Sequence, residues 1–247
     1  DYVVYRSQRP ITLPLAVPTP RNRRFREGLD KLETIIYQAI RDHQQGRGNP
    51  DDILSLMLAA RDKESNEPMS QQALRDELIT LIVAGHETAA SGLNWLFYLL
   101  SQHPDVEAEM LNEIDEVLNG RTPTTDDLPN LPTVQHVIDE TLRLYPPAWV
   151  ITRRALEQDV IHGSTIAANG ILIMSPYTSH RHPAFWQKPD EFYPDHFLPE
   201  AVKSRPRYAY FPFGGGPRLC IGDSFAKVEM GLIVTAVYQK YRLQLLP

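Results

Sequence analysis

The stretch Phe211-Pro212-Phe213-Gly214-Gly215-Gly216-Pro217-Arg218-Leu219-Cys220-Ile221-Gly222 holds the single cysteine of a 247-residue chain. A lone thiol is ordinarily a small buried hydrophobe. This one lies in a glycine- and proline-rich loop, with Arg218 two residues before it and a helical pattern right after it. A buried hydrophobe needs none of these neighbours. The glycines let the backbone bend and come close to another group.

No Gly-Lys-Ser/Thr follows the glycines, so the loop is not a phosphate-binding one. No further cysteine or histidine flanks Cys220 at zinc spacing. A thiolate as the only protein ligand suits a metal that brings its other ligands along, as haem iron does with its porphyrin. A sulfur at a helix N-terminus is stabilised as thiolate by the helix dipole and free N–H groups. In such a site Arg218 neutralises a propionate, and Gly216 and Gly222 allow close backbone approach.

The rest of the chain bounds the choices. Composition is that of a globular protein, 42% hydrophobic and 23% charged, and the net charge of −6 argues against nucleic-acid binding. One cysteine rules out an intramolecular disulfide framework, so a reducing, cytoplasmic setting is expected for this segment. No run reaches the ~18 apolar residues of a spanning helix. The best candidate, Leu78 to Leu100, is interrupted by His86, Glu87 and Asn94. A membrane anchor or domain upstream of Asp1 is left open.

Residues 1–20 read as a proline-punctuated connector. Helical spacing of apolar residues predicts helices over Asn22 to Gln44, Asp51 to Arg61, Ser70 to Gln102, Pro104 to Asn119, Thr133 to Tyr145 and Ile221 to Tyr238. The third would span about 45 Å, and its apolar middle, Leu78 to Gly85, is expected to be buried. Strands are expected at Val160-Ile161-His162-Gly163 and Ile171 to Met174, around a turn at Ala168-Asn169-Gly170, and at Arg242 to Leu246. Residues 176–215 read as a long irregular segment. The order suggests one mainly α domain over 1–247, with a long central helix, a small β region, and the cysteine loop followed by a helix.

Phe213-x-x-Gly216-x-Arg218-x-Cys220-x-Gly222 resembles the haem-binding loop of the cytochrome P450 superfamily, the haem-thiolate monooxygenases. Two further motifs agree in order. Ala84-Gly85-His86-Glu87-Thr88 is similar to the family's oxygen-activation segment. The resemblance implies that Ala84 and Gly85 open space beside haem b (iron protoporphyrin IX). Thr88, bonded to the Ala84 carbonyl one turn back, would relay protons with Glu87. Glu140-Thr141-Leu142-Arg143 matches the family's Glu-x-x-Arg, a buried structural ion pair. Its third member is usually an arginine in a Pro-x-Arg-Phe context. Here Pro194-Asp195-His196-Phe197 puts histidine there. A neutral ring donates one hydrogen bond to Glu140, whereas a protonated one carries the charge.

By the same resemblance Cys220 is the axial iron ligand, with Pro212, Phe213, Gly216, Ile221 and Gly222 around the haem and Arg153 reaching a propionate. Ala84, Ala148, Trp149, Val150 and Ile151 would line the substrate pocket, although a tryptophan more often joins the core. His180 and His182 suggest a metal pair but match an irregular family segment. Lys203, Arg205, Arg207, Arg218 and Lys227 form a solvated face or a docking surface for an acidic electron donor. The run from Arg21 to Arg26 reads as a solvated helix start.

The implied reaction oxidises a small apolar substrate with dioxygen, fatty-acid- or terpenoid-like by analogy. Electrons would come from NAD(P)H through a separate reductase or a ferredoxin- or flavodoxin-type donor near Cys220. A peroxide-using haem enzyme, a non-catalytic haem module and a non-haem helical scaffold are the alternatives. Family members are much longer, and the resemblance covers only the C-terminal part of their fold, so this chain alone is expected to be inactive.

Overall fold

A computed structural model describes Arg6, Arg9 and residues 12–246. The chain divides into two compact units, 1–84 and 85–247.

In the first unit, α1 (Pro20–Gln44) begins where Thr19 accepts a hydrogen bond from the Asn22 N–H and Pro20 supplies a pre-set φ at the first helical position. The run from Arg21 to Arg26 lies in its first two turns. Asp52 caps α2 (Ile53–Ala59) through the Ser55 N–H at 2.9 Å. Ser70 does the same for α3 (Gln71–Gln102) through the Ala73 N–H. Ile36, Ile40, Leu54 and Leu74 form a small core, flanked by Leu32, Met57, Leu78 and Ile79.

The expectation of a buried helix middle fails here. Ile82 is 46% and Val83 55% exposed. On α3 the small core takes in Leu74, Leu78 and Ile79; Ile82 and Val83 continue that stripe one turn further on, past the last residues the small core covers.

The second unit has a larger core. The last turns of α3 contribute Leu93, Leu96, Leu99 and Leu100. The helix α4 (Pro104–Leu118) contributes Met110, Ile114 and Leu118. At the centre is α5 (Pro132–Leu144), which packs against α4 and the C-terminal helix α8 (Asp223–Tyr238). Its first turn is capped from outside: Glu113 of α4 accepts the Thr133 and Val134 N–H groups at 2.8 and 3.2 Å. From Glu140 to Leu144 every residue is buried.

The β region differs from the sequence expectation in topology. β1 (Ile151–Arg154) pairs antiparallel with β4 (Ile171–Met174), Ile151 opposite Met174. Nested between them, β2 (Asp159–Ile161) and β3 (Ser164–Ile166) form their own hairpin. His162 and Gly163 are its turn, both at positive φ, and not part of a strand. The turn at Ala168-Asn169-Gly170 therefore joins β3 to β4, which do not pair with each other. Arg242 to Leu246 is no strand. Among the described residues no other strand pairs with it, and an isolated strand leaves its backbone groups unpaired.

The segment after β4 is more ordered than its composition suggests. It contains α6 (Pro176–Ser179), a 3₁₀ turn at Pro194–Phe197, α7 (Pro199–Ser204) and a second short turn at Arg207–Ala209.

One pH effect belongs to the first unit. His43 Nε2 meets Asp52 Oδ2 at 2.7 Å, and Nδ1 meets the Ala39 carbonyl at 2.9 Å. The Asp52 bond and the Ala39 carbonyl raise the His43 pKa above 6.5. The Ser55 N–H, then His43, lower that of Asp52 below 3.8. The histidine's contribution is full below 6.5 and fades as pH rises through its raised value. The aspartate's is full above 3.8 and fades as pH falls through its lowered value. Thermal melts followed by circular dichroism should show the wild type losing more stability than His43→Gln on the alkaline side.

Candidate active site

The cysteine turn is built by short-range hydrogen bonds. Gly214 N–H donates to the Phe211 carbonyl, Leu219 N–H to Gly216, and Cys220 N–H to Phe213, each at 3.0 Å. Gly214 and Gly216 have φ of +78° and +70°, where side chains with a Cβ are strained. Gly214 also lies against Ile151 of β1: a Cβ there would sit 3.5 Å from the Ile151 Cδ1. Gly222 adopts ordinary backbone at the start of α8, but a Cβ on it would lie 3.9 Å from the Cys220 sulfur. Pro212 is buried and Phe213 packs on the core. Cys220, Arg218 and Ile221 face outward, Ile221 at 92% exposure. The turn holds its base in the core and presents the thiol outward.

Behind the turn stands a buried polar network. His180 is fully buried, and its Nε2 accepts the Phe211 N–H at 2.9 Å. That nitrogen therefore carries a lone pair, and Nδ1–H donates to the Arg143 carbonyl at 3.2 Å. The ring is neutral in this arrangement. Burial pushes its pKa down from 6.5 to about 4, against the opposing effect of the Arg143 carbonyl.

Arg143 and Glu140 are also fully buried. The guanidinium donates to Glu140 through Nε at 2.7 Å and Nη2 at 2.8 Å. Its remaining bonds go to the carbonyls of His180, Pro189 and Glu191 at 2.6–2.8 Å. Glu140 Oε1 further accepts the Tyr193 N–H at 2.8 Å. His196 completes the group, with Nδ1 3.2 Å from both Glu140 oxygens. The three residues expected in one network are thus together. The segment 180–193 is tied to α5 mainly through its backbone carbonyls.

Other predicted residues fall elsewhere. Gly85, Glu87 and Thr88 lie on exposed turns of α3, with Thr88 one turn past Ala84. Trp149 is 63% exposed rather than part of the core. The Ser175 hydroxyl bonds its carbonyl, and it shares a cavity of about 250 Å³ with Trp95, Tyr145, Pro147 and Tyr177. Between the end of α5 and β1 the chain turns outward after buried Pro146. Ala148 is exposed and Val150 half-buried beside it. Arg153 lies on exposed β1, its guanidinium donating to the Thr152 carbonyl. Of the five basic residues near the loop, several are engaged. Lys227 binds Asp139 at 2.6 Å, Lys203 binds Glu200 at 3.0 Å, and Arg205 lies 4.1 Å over the Trp186 ring. No metal-binding cluster of three His, Cys, Asp or Glu residues occurs among the described residues. Both ring nitrogens of His180 are engaged, by the Arg143 carbonyl and the Phe211 N–H.

A family model described as Cytochrome P450 matches residues 5–247. The chain belongs to the cytochrome P450 family. It is 41% identical over 239 residues to a cyclooctatin synthase of Streptomyces melanosporofaciens, covering 96% of this chain and 52% of that protein. It is 36% identical over 231 residues to a pentalenene oxygenase of Streptomyces avermitilis, covering 94% and 51%. The crystal structure of the cytochrome P450DA heme domain superimposes with a TM-score of 0.83 at 34% identity, covering 89% of this chain and 49% of that one. The chain spans about half the length of the P450 relatives it matches.

The donor set fits the haem of a P450: one outward thiol on a braced turn, with no cluster of three metal-ligating side chains among the described residues and an arginine two residues away. Three parts of the network are not legible in the sequence. His180, which the sequence places only in a metal pair or an irregular segment, holds the turn through the Phe211 N–H. Trp186 is 1% exposed, with the Arg143 and Arg205 guanidiniums 4.9 and 4.1 Å from its ring centre. Tyr210 is a third tie, its hydroxyl donating to Asp139 on α5. No local spacing marks these residues, because their partners are 19 to 71 residues away in sequence.

Two predictions test this bracing. Arg143→Lys removes a forked donor that lysine cannot reproduce. Lysine keeps the charge but leaves buried carbonyls of residues 180, 189 and 191 short of donors, and urea unfolding should show a loss of about 1–3 kcal/mol, the scale of a buried acceptor left unpaired. His180 makes the turn acid-sensitive. With its folded pKa lowered, its contribution is full above 6.5 and is lost as pH falls toward about 4. The difference is on the order of 3 kcal/mol, and melts of His180→Gln should lack that loss.

Proposed function

We propose that this chain carries the haem-thiolate portion of a monooxygenase acting on an apolar organic substrate. The supporting observation is the lone outward thiol of Cys220 on a turn whose base is fixed from two sides, by Ile151 at Gly214 and by His180 at Phe211. Cys220 would hold the iron. Arg218 and Arg153 would meet the propionates, while Pro212, Phe213, Gly216, Ile221 and Gly222 would lie along the macrocycle. When bound, the haem supplies dioxygen binding and the oxidising chemistry, favoured by a thiolate ligand.

The protein's own groups do the rest. Glu87 and Thr88, an acid and an alcohol one residue apart on α3, hold and pass protons. Ala84 and Gly85 leave room on that helix. Ala148, Trp149, Val150 and Ile151 orient the substrate and exclude water. One oxygen atom enters a C–H bond and the other leaves as water, with two electrons and two protons consumed. NAD(P)H supplies the electrons through a separate reductase or a ferredoxin- or flavodoxin-type carrier docking near Cys220. A terpenoid-like hydrocarbon is the favoured substrate class, on the strength of relatives named for cyclooctatin and pentalenene.

The reduced carbon monoxide complex of the intact protein should show a strongly red-shifted Soret band that Cys220→Ser abolishes. Haem bound without that band would overturn the thiolate assignment. Thr88→Ala should keep the band yet lower product formation with NAD(P)H and a reductase by on the order of 10²-fold, the scale of a lost proton-transfer group. Product formed equally well with peroxide alone, and unchanged by Thr88→Ala, would favour a peroxide-using enzyme.

A further inference from the structure

His196 stands where relatives of this fold are expected to carry arginine, and its surroundings decide its charge. The residue is buried on the 3₁₀ turn Pro194–Phe197. One ring nitrogen, Nδ1, lies 3.2 Å from both Glu140 oxygens. The other, Nε2, is hydrogen-bonded to the Gln187 carbonyl oxygen. A backbone carbonyl only accepts. Glu140 also acts as an acceptor here, since two Arg143 N–H groups and the Tyr193 N–H already point at it. Both edges of the ring therefore face acceptors. A neutral imidazole has one N–H, and either tautomer would set a lone pair against an oxygen.

We infer that His196 is held as a doubly protonated imidazolium, joining Gln187 to Glu140 and replacing the expected arginine in charge as well as in position. The charges around it agree in part. Glu140 favours the cation. Arg143 on the same helix opposes it, as does Arg205 across Trp186. Asp195 lies on the same 3₁₀ turn, and Tyr193 is held edge-on, 5.2 Å between ring centres. Arg143 is largely occupied by its own acceptors, and Arg205 is stacked on the indole. The two acceptor contacts belong to His196 itself.

The assignment makes His196 a positioning residue. Gln187 lies in the segment 180–193, whose His180 ring holds the Phe211 N–H and so the base of the Cys220 turn. The two histidines approach one indole, 5.3 and 6.4 Å between ring centres, in opposite states. His180 accepts at one nitrogen, whereas His196 donates from both. This inference concerns the protein's own protons and stands whether or not the monooxygenase reading holds.

The test reads the ring nitrogens directly. The intact protein, labelled with ¹⁵N-histidine, is examined near pH 7.5 by long-range ¹H–¹⁵N correlation, with His196→Gln and His180→Gln spectra assigning the signals by loss. Two protonated nitrogens at His196 and one at His180 are expected. A singly protonated His196 overturns the inference. Thermal melts give a second reading. His196→Arg, which keeps the charge and donors on two sides, should lie within about 2 °C of the wild type. His196→Gln should fall by about 5 °C or more, a loss above 1 kcal/mol for a chain of this size. A His196→Gln midpoint equal to that of the wild type also overturns the inference.

Discussion

Arg143 is the constraint around which the second unit is arranged. A fully buried guanidinium is tolerable only when its N–H groups find acceptors. Here two go to one carboxylate and three bonds go to backbone carbonyls of residues 180, 189 and 191. Those carbonyls belong to a segment with little regular secondary structure of its own. The arginine replaces the missing ladder: α5 supplies the charge, and the segment folds around it. Loss of one partner would strand a buried charge, so the cluster stands or falls as a unit.

The cysteine turn inherits its rigidity from that cluster. Its internal hydrogen bonds shape it, but they do not fix it to the body of the protein. His180 does that, with one edge on the Arg143 carbonyl and the other on the Phe211 N–H. Ile151 closes the other side at Gly214. A thiol on such a base keeps its position without being enclosed. Position without enclosure is what a metal ligand needs, since an outward sulfur must still be aimed. The buried histidines divide the work by charge, a neutral one under the turn and a cation at the carboxylate.

Exposure sets the remainder apart. Ile82, Val83, Trp149 and Ile221 are apolar and open to solvent in a chain that spans about half the length of its relatives. Among the described residues no helix is long and apolar enough to cross a membrane.

The amino-acid sequence by itself determined the six longer helices, each within a residue or two of its ends, because proline, caps and 3.6-residue periodicity are local signals. It determined the cysteine turn as well, since Gly214 to Gly222 carry both the bend and the thiol within one short segment. Glu140 and Arg143 were legible as a pair one turn apart. Only the tertiary structure decided what lies at long range. The nesting of the β2–β3 hairpin inside the β1–β4 pair depends on which strand edges meet, which short apolar runs do not encode. The exposure of Ile82 and Val83 depends on what packs beside them, not on their own hydrophobicity. The roles of His180 and His196 depend on whether a donor or an acceptor faces each ring nitrogen. All of those partners but Gln187 lie 31 to 56 residues away along the chain, and only folding brings them within hydrogen-bonding distance.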